Sequence, residues 1–186
     1  AVSMTTGDTG DRYCLDGLRL RRVAGVQGAP GTVYQTESES FLRVTSQGAA
    51  GNGPAWFTVE QPDGTVLTYG GTADSRIEDA SGQTVRVWAL SSRRDRAGNT
   101  LRVTYQEDAG PALVTQGVYG GQYGYRPLEI SYAAAGNGEP AHHAVRFIYE
   151  AAPQPIEAGW QAGTLVVSWQ RLVRVEHRHD TALVRQ

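Results

Sequence analysis

The sequence contains no lysine; all 17 of its basic residues are arginine. That absence removes Schiff-base chemistry and any phosphate loop built on a lysine ammonium. There is one cysteine, Cys14, so no intrachain disulfide can brace the fold, and it reads as a small apolar residue, buried or half-buried. No stretch approaches the ~20 apolar residues of a membrane span, and no charged-then-apolar signal segment opens the chain. A net charge of −2 sets up no field toward nucleic acid or anionic lipid, and basic residues alternate with acidic ones, as in Arg93-Arg94-Asp95-Arg96. Helical periodicity is missing too: no window of 11 or more residues repeats its apolar positions every 3.6 residues.

What the chain does have is turn-formers and alternation. Its 23 glycines and 8 prolines leave little room for long helices, while its 40% apolar content is enough for a packed core without metals or disulfides. Val145, Phe147 and Tyr149 alternate with Arg146, Ile148 and Glu150, the period-2 pattern of a half-buried strand. Leu101-Val103-Tyr105, Leu128-Ile130-Tyr132, Val85-Val87-Ala89, Leu67-Tyr69, Phe57-Val59 and Val173-Val175 follow the same template. The Gly- and Pro-free tail after Gly163 is the best helix candidate, yet Leu165-Val167-Trp169 alternates and valines are frequent, which favours strand.

Turn chemistry then predicts pairings. Pro62-Asp63-Gly64 separates Trp56–Gln61 from Thr65–Tyr69, a hairpin signature. Ala97-Gly98-Asn99 predicts a hairpin between Arg86–Leu90 and Thr100–Tyr105, and Asn137-Gly138 one between Leu128–Tyr132 and Ala144–Tyr149. Several of these strands end on tyrosine (Tyr69, Tyr105, Tyr132, Tyr149), a faint sign of a repeated unit. The expected fold is all-β: a meander of eight to ten short antiparallel strands and hairpins with little or no helix. Residues 1–10 read as a flexible polar segment and 11–186 as a single β domain, a fragment of a much larger protein.

Candidate chemistry is sparse. Glu37 and Glu39 lie on one face of an expected strand, where an approach of Asp74 would give the paired carboxylates of glycoside hydrolysis, and a solvated acidic face is the simpler reading. His177 and His179 point the same way along a strand, which would let them share an ion, but no cysteine or carboxylate stands at a ligand spacing. His142-His143 and this pair read as exposed polar residues. The Gly117–Tyr125 stretch lacks the lysine and the helix of a phosphate loop; it reads as a mobile surface loop whose Tyr119, Tyr123 and Tyr125 offer a contact surface. Trp56 and Trp88 stand among apolar strand residues and read as packing. Trp160, between Gly159 and Gln161, reads as an exposed aromatic able to stack on a sugar. The residues predict no catalytic group, no cofactor and no metal, so the chain is expected not to be an enzyme.

An ordered series of segments carries a resemblance. Asp11-Arg12-Tyr13-Cys14-Leu15-Asp16-Gly17-Leu18-Arg19-Leu20 comes first, then Tyr34-Gln35-Thr36-Glu37-Ser38-Glu39-Ser40-Phe41. Gly53-Pro54-Ala55-Trp56-Phe57, Asp74-Ser75-Arg76-Ile77, Val87-Trp88-Ala89-Leu90 and Asp95-Arg96-Ala97-Gly98-Asn99 follow, and Arg171-Leu172-Val173-Arg174-Val175 closes the series. Over roughly residues 11 to 178 the chain resembles the Salmonella virulence plasmid B protein family, the B components of insecticidal Tc toxins and related giant RHS-repeat proteins. The resemblance implies an open sheet of RHS/YD type, and a role in a β-sheet shell that encloses and delivers a toxic C-terminal cargo. It implies partners too, namely neighbouring domains and RHS-type strands of the same polypeptide or a partner toxin subunit, and a secreted or cell-surface setting. A carbohydrate- or cell-surface-binding domain is the alternative, with a glycan as partner.

Overall fold

In the computed structural model the described residues are 1–4, 12–79, 82–108, 123–135, 140–161, 164–180 and 182–185. Among them are seventeen strands and one 3-10 turn, Ala73–Ser75. The first seven strands are β1 (Val2–Met4), β2 (Tyr13–Leu15), β3 (Leu18–Ala24), β4 (Val33–Thr36), β5 (Arg43–Gln47), β6 (Trp56–Glu60) and β7 (Val66–Tyr69). After the 3-10 turn come β8 (Arg76–Glu78), β9 (Val85–Trp88), β10 (Leu90–Arg94), β11 (Thr100–Asp108) and β12 (Tyr123–Ala134). β13 (His143–Ala151), β14 (Glu157–Gln161), β15 (Thr164–Ser168), β16 (Gln170–His179) and β17 (Ala182–Arg185) complete the order. Fifteen strands form one antiparallel sheet running β17-β16-β13-β12-β11-β10-β7-β6-β5-β4-β3-β2-β1-β9-β8, and β14–β15 stands apart as a two-stranded sheet.

The turn residues act as their chemistry predicts. Between β6 and β7 the Asp63 carboxylate accepts the Thr65 N–H at 2.8 Å, and Gly64 takes φ +82°. Between β10 and β11, Asp95 accepts the Asn99 N–H at 2.9 Å while Gly98 takes φ +90°. In the Gly51–Pro54 cluster, Gly51 (φ +54°) lies so close to the Gln83 carbonyl that a Cβ would meet its oxygen at 1.9 Å.

The sheet curls sharply. β6 and β9 are six strand spacings apart in the order, about 29 Å in a flat sheet. Yet the Phe57 and Trp88 ring centroids are 5.0 Å apart, edge to face. Tyr13 meets Tyr34, Phe57 and Trp88 at 5.7, 5.2 and 5.6 Å, so an aromatic cluster fills the trough formed by β1–β7 and β9. Alternation supplies it: Val44, Phe57 and Val59 face inward from β5 and β6. The curl does not close into a barrel; β8 and β17 remain as open ends.

Four expectations change. Val2–Met4 is not a flexible lead but a strand between β2 and β9, with Val2 fully buried; residues 5–11 lie outside the described residues. Seventeen strands stand among the described residues where eight to ten were expected: β1–β5, β8, β14 and β17 lie outside the alternating runs, and one run is divided in two. The run Val85–Arg94 is divided at Ala89, which donates to the Ser75 carbonyl and accepts from the Gly70 N–H. Its first part pairs with β1 and β8, and only its second part, β10, forms the expected hairpin with β11. Finally, Tyr123–Tyr125 belong to strand β12 rather than to a loop. The hairpins β6–β7 and β12–β13 form as predicted.

A candidate binding cleft beside the folded-back sheet

The sheet folds back on its own edge. Ile77, Val87 and Ala89 are buried beneath Tyr105 and Tyr125, which come from β11 and β12. With Val85 and Trp88 in the aromatic core and Val87 under this layer, every residue of β9 is buried, Arg86 included at 1% exposure. A buried arginine requires partners. Its Nε donates to the Glu78 carbonyl at 2.9 Å, and Tyr125, Glu107 and Asp79 lie within its electrostatic reach. Burial draws the guanidinium below its ordinary range and holds the Glu107 carboxyl above its own; Glu78 adds to the latter effect and Arg86 opposes it. Burial also pushes the Tyr105 hydroxyl up to about 12. That hydroxyl donates to the Leu90 carbonyl at 2.9 Å, while the Tyr105 N–H donates to Asp74 at 2.8 Å.

Next to this layer the β14–β15 hairpin leans on β12 and leaves a half-open cleft of about 460 Å³, lined by Gly124, Tyr125, Glu157, Gly159, Trp160, Val166 and Ser168. Gly159 leaves the wall open, since a Cβ there would meet nothing within 4 Å. Glu157 and Ser168 are paired directly across the hairpin, which sets a carboxylate and a hydroxyl side by side. Trp160, 67% exposed, stands at the rim. Stacking surface, one carboxylate and hydroxyls suit the binding of a polyol or sugar; among the described residues the lining offers one carboxylate, where glycoside hydrolysis uses two.

Of the residues singled out in the sequence, the cleft brings together Trp160 and Tyr125. Tyr119 lies outside the described residues, and Tyr123 is placed only through its backbone, opposite Asp108. Glu39 and Asp74 accept from different backbone amides, those of Phe41 and Tyr105, and Glu37 and Glu39 both lie on the β4–β5 connection rather than on one face of a strand. Cys14 is half-buried on β2. Among the described residues no group of three or more His, Cys, Asp or Glu is arranged to hold a metal ion. Sequence reading missed Glu157, Glu107 and Arg86. For Arg86 a signal existed: it shares a short strand with Val85, Val87 and Trp88, too apolar a setting for a solvated cation.

An open antiparallel sheet that curls around an aromatic core and folds back on its own edge defines a distinct class of β module. The same fold is found in the N-terminal domain of effector protein SpvB from Salmonella typhimurium strain LT2, with a TM-score of 0.76 and 16% identity over 96% of this chain and 74% of that one. It is found also in the Tc toxin structures TcdB2-TccC3-Cdc42 (TM-score 0.70, 13% identity) and TcdB2-TccC3-TEV (0.70, 15%), each match covering 96% of this chain. The chain spans 11% of the length of each of those two polypeptides. No protein-family model matches the chain, and no curated protein matches it in sequence. The resemblance read from the ordered segments thus holds in three dimensions, at the level of the fold.

Proposed function

We propose that the chain is a non-catalytic structural module of a secreted bacterial toxin, one section of a β-sheet wall that encloses and delivers a toxic cargo. The observation that carries this reading is the open sheet end. The β16–β17 ribbon exposes Leu172, Val173, Val175, Leu183 and Val184, and among the described residues no strand pairs with the outer edge of β17. Exposed apolar ribbons with free edges invite further strands. Those strands come from the same polypeptide or from a partner toxin subunit, and the setting is secreted or cell-surface. The fold shared with SpvB and TcdB2-TccC3 supports the assignment. In the native gene the reading frame should continue into strand-rich repeats, and extending the chain into them should raise hydrogen-exchange protection on β17. A frame without such repeats, or a β17 that exchanges equally fast in the extended protein, would overturn the reading.

A second reading is favoured by the cleft, where Trp160, Tyr125 and Glu157 suit a glycan. Binding on a glycan array that disappears in a folded Trp160→Ala variant supports it. An array without hits removes it.

A further inference from the structure

Between Glu150 and Arg171 the chain carries one charged residue, Glu157. Its strand, β14, pairs with β15 so that Glu157 stands opposite Ser168 and Gly159 opposite Val166. Partners across an antiparallel ladder share a face, as do residues two apart, so these four form one face of the hairpin. That face is turned toward β12: a Cβ on Gly124 would lie 3.8 Å from the Ser168 side chain and 3.9 Å from that of Val166. The cleft thus has a wall of one carboxylate, one hydroxyl and one aliphatic group, opened by Gly159, while β12 contributes Tyr125. Trp160, opposite Leu165, alternates away from this face and forms the rim.

The lining carries no cation among the described residues. The chain has seventeen arginines, yet none of them lines the cleft. Arg126, which follows Tyr125 in β12, lies over the Tyr149 ring, 5.0 Å from its centroid. Arg86, behind Tyr125, donates to the Glu78 carbonyl and has Glu107 and Asp79 within its field. Glu78 and Asp74 act on Glu107 as well, so carboxylates outnumber the arginine in that layer. Glu157 is therefore left as the charge that a ligand in the cleft meets.

Resting on the glycan reading of this cleft, we propose that its ligand is an amino sugar bearing a free ammonium group. Hydroxyls of the sugar meet Ser168, its apolar ring face meets Val166 and the aromatic rim, and its ammonium donates to the Glu157 carboxylate. A neutral sugar can also donate a hydroxyl to Glu157, but the ammonium adds the attraction of opposite charges to that hydrogen bond. At a half-open site that attraction is screened by water and is worth up to about fivefold in affinity. Sugars bearing a carboxylate, sulfate or phosphate bring a second negative charge to a wall without a cation, and the cleft disfavours them.

The test is isothermal titration of the 186-residue chain at about pH 6, where an amine and a carboxylate are ordinarily both charged. The ligands are a β-1,4-linked glucosamine disaccharide, its N-acetylated form, the corresponding glucose disaccharide and one containing glucuronic acid. The free amine should bind about fivefold more tightly than the acetylated and glucose forms, and the glucuronate should bind most weakly. In a Glu157→Gln variant with the thermal stability of wild type, the glucosamine, acetylated and glucose forms should bind alike. Equal affinity for the free and acetylated amines in wild type would overturn the ammonium site and leave the glycan reading standing. A preference for the amine that persists in Glu157→Gln would do the same. If none of the four sugars binds, the glycan reading falls, and this inference with it.

Discussion

Trp88 has its ring against Tyr13 and Phe57, and its indole N–H donates to the Pro54 carbonyl at 3.1 Å. Phe57, fully buried, packs on three aromatic neighbours from β2, β4 and β9. Truncation here removes contacts from several strands at once, so Phe57→Ala should cost about 3–5 kcal/mol and lower Tm by about 10 °C, as read by thermal denaturation. Trp160→Ala, at an exposed rim, should change stability by less than about 0.5 kcal/mol in the same measurement. Glu176 behaves differently from both. Its hydrogen bond and ion pair with Arg178, and its pairing with Arg174, hold the carboxyl below its ordinary range. A lowered carboxyl stabilises the fold above the unfolded value near 4.3, and that contribution is lost as pH falls through the folded one. Glu176→Gln should therefore weaken the protein at pH 7, with the difference from wild type shrinking in urea titrations as pH falls below the unfolded value.

Single strands serve different purposes in different parts of the chain. The tyrosines that recur at strand ends look alike in sequence but diverge in place. Tyr69 joins the aromatic core, and Tyr105 caps the folded-back layer. Tyr132 stacks among histidines, and Tyr149 lies under the Arg126 guanidinium at 5.0 Å. The β14–β15 hairpin is the most separable element, because β13 and β16 pair with each other from His143↔His179 to Ala151↔Gln170 without it. Ala152 even donates to Trp169 across its base at 2.7 Å. Replacing residues 153–168 with an Asn-Gly turn should leave one cooperative unfolding transition by circular dichroism. It should also remove any ligand bound in the cleft. Loss of cooperative folding would show that Val167, buried beside β12, is part of the core.

At the scale of the molecule, burial is lopsided. The main aromatic core lies wholly within β1–β7 and β9, whereas β16 and β17 present apolar side chains to solvent on both faces. Such a ribbon should drive self-association of the isolated chain, since its edge amides and its apolar surface are both available. Sedimentation velocity should show concentration-dependent association in wild type that a Leu183→Lys/Val184→Lys variant suppresses, with the curled core still folded. Equal association of the two proteins would place the sticky surface elsewhere, for example at the β8 end.

Alternation and turn chemistry determined the fold class and two of the three predicted hairpins, because side-chain period and turn residues are local properties of the chain. Asp63-Gly64 and Ala97-Gly98-Asn99 announced their turns, and the exposure of Trp160 was legible from its glycine- and glutamine-flanked position. The ordered segments from Asp11 onward announced the fold shared with SpvB and TcdB2-TccC3. Only the tertiary structure decided the rest. The curl that carries Phe57 to Trp88, the kink at Ala89, the burial of Val2 and of Arg86, and the cleft under β14–β15 all depend on strands distant in sequence. The same is true of the histidines: the sequence shows two separate pairs, and it is the β13–β16 register that makes them one cluster. Local chemistry specifies which segments become strands, whereas partner and curvature are set by what the whole sheet must bury.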